Sequence, residues 1–61
     1  MYTVVTDKNP NAILPKWIED ARAEVLSTKI LWRFRTDVEA AEAANILYDS
    51  GFEYVHLTSS Y

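Results

Sequence analysis

The sequence predicts a small α+β domain of order β-α-β-α-β, with a three-stranded sheet and two helices packed on one of its faces. The first observation is a two-residue alternation of side-chain type over residues 29–35 (KILWRFR), which is typical of a strand because successive strand side chains point to opposite faces. The second is an alanine-rich stretch bracketed by a capping box and a glycine, which predicts a helix. With 61 residues, residues 1–61 are expected to form a single domain.

The first third of the chain predicts a strand, a loop and a helix. Residues 2–6 (YTVVT) are β-rich, and residues 7–11 (DKNPN) are dense in turn formers. Pro15 suits the first turn of a helix over residues 14–26, whose apolar positions recur on one face. A second interpretation stays open, in which the chain from Ala23 bends into the next strand, because Ser27 and Thr28 form a connector without glycine.

The strand at residues 29–35 has two different faces. Ile30, Trp32 and Phe34 share one face, and we expect the helices to cover it, because an alanine-rich helix needs bulky side chains opposite to fill the interior. Lys29, Leu31, Arg33 and Arg35 share the other face and are expected to point away from the helices.

The second helix and the last strand follow from local signals. Thr36 is expected to accept a hydrogen bond from the N–H of Glu39 at the start of a helix that runs to about residue 50. Gly51 is expected to end the helix in a left-handed conformation, with Phe52 contacting Leu47. Residues 52–58 predict a last strand, parallel to the second one. Residues 59–61 are expected to form a tail.

The composition narrows the function classes. A chain of this length buries only ~60% of the surface that its unfolded form exposes, and small domains commonly need extra support. The chain has no cysteine and one histidine, which excludes disulfides and disfavours a structural zinc site. Association with another chain remains as the expected support.

Charge and hydropathy argue against two partner classes. The net charge is −3 and the pI about 4.8, whereas general nucleic-acid binding and anionic membranes favour basic surfaces. No apolar run approaches the ~20 residues of a membrane span, and no leader segment follows Met1. These features predict a complete cytoplasmic protein.

No pattern predicts an enzyme, a metal site or a cofactor. His56 lies in a strand without a catalytic partner at a characteristic spacing, and the serines lie in no nucleophile motif. The only glycine is Gly51, so a glycine-rich phosphate loop is excluded.

The sequence therefore favours a non-enzymatic protein-interaction module. We expect it to bind and modulate or inhibit a larger protein, as small acidic accessory proteins of phages and mobile elements often do, and to self-associate through an open sheet face. The expected contact residues lie on the basic strand face and on the outer side of the second helix: Leu31, Arg33, Arg35, Val38, Glu42 and Ile46.

Three alternatives stay open. Lys29, Arg33 and Arg35 could form a nucleic-acid surface, although single-strand binding also needs aromatic side chains on the same face. The acidic stripe of the second helix, which contains Glu39, Glu42 and Asp49, could imitate nucleic-acid phosphates. The third alternative is a homo-oligomer with a purely structural role.

Overall fold

The computed structural model describes residues 2–59. The elements are, in order, β1 (Tyr2–Thr6), α1 (Lys16–Glu19), β2 (Arg22–Val25), β3 (Ile30–Phe34), α2 (Asp37–Asp49) and β4 (Val55–Thr58). They form a small α+β domain with one antiparallel sheet and two helices. Met1, Ser60 and Tyr61 lie outside the described residues, so the predicted tail is described only at Ser59.

The sheet has four strands in the order β2-β3-β1-β4, and all neighbours are antiparallel. The prediction of three strands is therefore wrong. β3 and β4 run in the same direction, as expected, because each is antiparallel to β1. They are not neighbours, however, since β1 lies between them.

The fourth strand comes from the segment predicted as the first helix. Helix α1 covers only Lys16–Glu19, and the chain from Arg22 to Val25 forms β2 instead. A tight turn over Ser27 and Thr28 joins β2 to β3, closed by a bond of 2.8 Å from the Leu26 N–H to the Lys29 carbonyl. The predicted helix over residues 14–26 is wrong beyond its first turn, because pairing with β3 satisfies the backbone groups of β2. The strand interpretation was right about this segment, but the chain makes a hairpin and not a bend.

Helix α2 begins and ends as the sequence predicts. The Glu39 N–H donates to the Thr36 hydroxyl at 3.1 Å, and the Thr36 hydroxyl lies 3.3 Å from the Glu39 carboxylate, to which it donates. Gly51 has a φ of 102°, in the region that favours glycine. Its N–H bonds to the Tyr48 carbonyl, and both Leu47 and Phe52 belong to the core.

The core lies between one face of the sheet and the two helices. Eight buried side chains form it: Val4, Ile18, Trp32, Phe34, Ala40, Ala43, Leu47 and Phe52. The burial of Trp32 and Phe34 confirms the predicted orientation of β3. Helix α2 buries Ala40, Ala43 and Leu47, whereas Ala41 and Tyr48 are exposed.

The loop between β1 and α1 is bonded to the connection between α2 and β4, which lies at the same end of the sheet. The Asn9 side-chain amide donates to the Gly51 carbonyl at 3.2 Å, and an Asp7 carboxylate oxygen accepts from the Tyr54 N–H at 3.1 Å. The turn formers of residues 7–11 thus hold the loop against the α2–β4 connection.

The face of the sheet that points away from the helices differs from the prediction in one respect. Leu31 is only 3% exposed, and Thr3 and Val5 are as deeply buried. The expectation that Leu31 stands exposed on this face is wrong. Because β2 lies beside β3, Leu31 stands between Glu24 and Val5 in the register of the sheet, and side chains on both sides shield it.

Candidate functional site

A cleft lies where β2 begins, β3 ends and the two helices approach the sheet. It has a volume of about 350 Å³ and combines three arginines, two aromatic rings and two carboxylates. We call it the arginine cleft. Its lining residues are Trp17, Asp20, Ala21, Arg22, Arg33, Phe34, Arg35 and Glu39.

The hairpin of β2 and β3 brings the three arginines together. Arg22 stands directly opposite Arg33 in the register of the two strands, and Arg35 follows two residues after Arg33. Directly opposed side chains in an antiparallel pair have Cβ atoms only ~5 Å apart. Arg22 and Arg33 are therefore a like-charge pair, which favours an anion between or beside them.

Only one of the three arginines is neutralised by an ion pair within residues 2–59. The Arg33 guanidinium donates to a Glu24 carboxylate oxygen at 2.9 Å, with both side chains partly in solvent. Arg22 and Arg35 are exposed, and no carboxylate of the described residues lies within ion-pair distance of either. Exposed guanidinium groups of this kind are available to bind a carboxylate or a phosphate in bidentate geometry.

Trp17 supplies an apolar wall beside these cations. Its ring contacts the ring of Phe34 edge to face, with centroids 5.9 Å apart, yet 40% of the residue remains exposed. Its neighbour Ile18 is fully buried and fixes α1 to the core. A half-exposed tryptophan held by a buried neighbour is the type of anchor that dominates many binding interfaces.

The charge of the cleft differs from that of the chain. Its lining holds three arginines against Asp20 and Glu39, and Glu24 pairs with Arg33 from outside the lining, so these groups sum to zero, whereas the chain carries −3. Glu39 is held at the helix start by Thr36. The cleft is thus less acidic than the chain as a whole, and its two arginines without an ion pair among residues 2–59, Arg22 and Arg35, suit a short anionic group.

The structure separates the six residues predicted as contacts. Arg33 and Arg35 line the arginine cleft, and Leu31 is buried. Val38, at 63% exposure, and Glu42 face solvent on α2, whereas Ile46 is half-buried against the core. Leu31 and Ile46 are therefore not exposed as expected, and the assignment of the six residues as contacts stays a prediction.

Sequence reasoning missed two residues of the cleft, Trp17 and Arg22. Both fall within the predicted helix over residues 14–26, in which Trp17 lies on the apolar face and Arg22 cannot pair with β3. The alternative, in which the chain from Ala23 bends into the next strand, predicted strand for part of this segment, but only a hairpin across Ser27 and Thr28 sets Arg22 opposite Arg33.

Other chemistry-bearing groups are dispersed. His56 is exposed on β4 and stacks on Tyr54, with ring centroids 6.3 Å apart. Residues 2–59 contain no group of three His, Cys, Asp or Glu side chains placed to hold a metal ion. Among the same residues, no helix has the length and apolar character needed to cross a membrane.

Fold and site together define a small α+β domain with an arginine-lined cleft at one end of a four-stranded antiparallel sheet. A scan against protein-family models, a search of curated proteins and a search of solved structures found no match to the chain.

Proposed function

We propose that this protein is a non-enzymatic interaction domain that binds an acidic segment of a larger protein in the arginine cleft. The observation that carries the proposal is the placement of Arg22, Arg35 and the half-exposed Trp17 around one cleft. Tryptophan and arginine are the residue types most enriched where binding energy is concentrated.

The chemistry of the occupant follows from the lining. A carboxylate of the partner would pair with Arg35 and Arg22, and an apolar or aromatic side chain next to it would pack on Trp17. Modulation or inhibition of the partner would follow from occupying that acidic segment. The volume of about 350 Å³ suits one or two side chains of a peptide.

Single-stranded nucleic acid is the second candidate, and one observation favours it. The sequence predicts the aromatic side chains of residues 29–35 on the face opposite to the basic ones, but Trp17 lines the cleft together with all three arginines, so a base could stack while phosphates pair. Asp20 and Glu39 in the lining and the net charge of −3 oppose a chain of phosphates. For this reason we favour the protein partner.

Selection from a displayed random-peptide library tests the proposal, because the library offers acidic, basic and apolar segments to the cleft on equal terms. We expect the wild-type protein to enrich peptides in which Asp or Glu lies beside an aromatic or branched apolar residue. Arg35→Glu should weaken binding of a selected peptide about tenfold or more, because it places a like charge against the ligand. Lys8→Glu makes the same charge change in the exposed loop and should have little effect.

A fluorescein-labelled single-stranded oligonucleotide is the competing probe. If this oligonucleotide binds more tightly than any selected peptide, the second candidate replaces the proposal. In that case its binding should be lost in Arg35→Glu and should fall steeply with salt. Enrichment of peptides without acidic residues, or equal binding by wild type and Arg35→Glu, would contradict the assignment of the arginine cleft as the binding site. Thermal unfolding of each variant shows whether the fold is intact.

A further inference from the structure

Strand β2 is an uncovered edge of the sheet. It lies at one end of the strand order, pairs only with β3, and all four of its residues are exposed. An edge strand presents unpaired N–H and C=O groups that another strand can join. Natural edges are commonly blocked by proline, bulges, charged side chains or a covering segment. Arg22–Val25 contains no proline, and its two charged residues, Arg22 and Glu24, are of opposite sign.

The register fixes which backbone groups of β2 are free. The bond from the Leu26 N–H to the Lys29 carbonyl makes these two residues a hydrogen-bonded pair. Such pairs alternate along an antiparallel ladder, so Glu24 and Arg22 also direct their backbone groups toward β3. The N–H and C=O groups of Ala23 and Val25 therefore point away from the sheet.

The side chains of β2 carry an unbalanced charge pattern on the face away from the helices. Glu24 pairs with Arg33 at 2.9 Å, whereas Arg22 stands opposite Arg33 and has no carboxylate of residues 2–59 within ion-pair distance. A carboxylate added on the open side of Arg22 would relieve this like-charge pair.

We propose that β2 pairs with β2 of a second copy of this chain, antiparallel and centred on Ala23. In this register the two Ala23 residues exchange both backbone hydrogen bonds across the two-fold axis. Arg22 of each copy stands opposite Glu24 of the other copy on the same face of the joined sheet. The result is a continuous eight-stranded antiparallel sheet with two Arg22–Glu24 contacts. Arg22 also lines the arginine cleft, but the pairing is made by the backbone of β2 and does not require the partner proposed for the cleft.

Neighbouring registers are unfavourable. Only odd-numbered residues of β2 have free backbone groups, so the pairing can shift only by two residues at a time. A shift in one direction places Glu24 opposite Glu24, and a shift in the other places Arg22 opposite Arg22. Like charges directly opposed in a ladder are destabilising, so the charges select the register centred on Ala23.

The second edge strand lacks comparable complementarity. Val55–Thr58 contains no acidic residue and no lysine or arginine, so pairing of β4 with itself gains no ion pair in any register. The observations therefore favour β2 as the edge that associates and a second copy as its occupant.

Sedimentation equilibrium over a wide concentration range, up to millimolar, tests the dimer. We expect the wild type to pass from its monomer mass of 7.0 kDa to twice that value. Arg22→Glu and Glu24→Arg should each raise the dissociation constant about tenfold or more, because each creates two like-charge contacts across the axis. The double swap R22E/E24R should restore association, since the contacts return with reversed signs and the carboxylate introduced at position 22 faces Arg33.

A matched pair of lysine variants tests the position of the axis. Ala23→Lys sets two ammonium groups opposite each other at the axis and should abolish the dimer. Ala41→Lys makes the same change at an exposed position of α2 and should leave it intact. In amide hydrogen exchange, the Ala23 and Val25 amides should become protected as the concentration rises.

A wild type that stays monomeric throughout, or a dimer unchanged by Ala23→Lys or not restored by the double swap, would overturn the proposal. Arg35→Glu separates the two proposals, because it alters the arginine cleft and leaves β2 untouched. It should weaken peptide binding about tenfold or more without changing the dimer.

Discussion

At the scale of single residues, the indole N–H of Trp32 is a buried polar group whose hydrogen bond contributes to the stability of the core. Its ring is 6% exposed and packs edge to face on Phe52, with centroids 6.4 Å apart. The indole N–H donates to the Thr6 hydroxyl at 2.9 Å. Thr6 is fully buried, and its hydrogen bond with Trp32 explains why a polar threonine lies in the interior.

Thr6→Val keeps the shape of the side chain and removes the acceptor of this bond. A buried N–H without a partner costs about 1–3 kcal/mol, so we expect the free energy of unfolding to fall by about that amount. Urea unfolding followed by circular dichroism measures it. In the background of Trp32→Phe, which has no N–H, the same Thr6→Val change should cost much less; an equal cost in both backgrounds would contradict the role of the bond.

Residue patterns predicted the burial of Trp32 and Phe34, because alternation in a strand is a local property. They did not predict Thr6 as the partner of Trp32, since that contact joins residues 26 positions apart. The same limit applies to Asn9, whose bond to the Gly51 carbonyl gives a turn residue a long-range role.

At the scale of elements, α2 was predictable and α1 was not. The boundaries of α2 depend on Thr36, Glu39 and Gly51, which act on backbone groups within one turn. The expected helix over residues 14–26 rested on apolar periodicity alone. Val25 matched that periodicity, yet it lies 64% exposed on a strand, because a ladder with β3 competes with the helix for the same backbone groups.

Thr36→Ala tests the capping of α2. Loss of the bond from the Glu39 N–H to the Thr36 hydroxyl should lower the free energy of unfolding by ~1 kcal/mol, the usual cost of removing a threonine cap. Chemical denaturation provides the measurement. Thr28→Ala, at an exposed position of the β2–β3 turn, is the matched control and should change stability by less than ~0.5 kcal/mol. Equal effects of the two substitutions would argue against the cap.

At the scale of the whole molecule, the addition of β2 to the sheet changes which surfaces are available. It moves β3 from the edge to the interior, so Leu31 becomes buried. It also places Arg22 opposite Arg33, which completes the arginine cleft. The sequence predicted the basic residues of β3, but the cleft depends on strand pairing that no local pattern determines.

The pairing of β2 with β3 also changes which surface we expect to contact a partner. The sequence favoured two contact surfaces, one on the open face of β3 and the other on the outer side of α2. The structure gathers Arg33, Arg35 and Trp17 at the end of the sheet and leaves Val38 and Glu42 on the solvent side of α2. The central claim is that the arginine cleft, and not the outer side of α2, is the binding site.

An NMR titration of ¹⁵N-labelled protein with a selected acidic peptide tests this claim most directly. The two tryptophans serve as internal probes, because Trp17 lines the cleft and Trp32 lies in the core. We predict that the indole signal of Trp17 and the amides of residues 33–35 shift with peptide, while the indole signal of Trp32 stays in place. Shifts concentrated at Val38, Ala41 and Glu42, with Trp17 unmoved, would contradict the account.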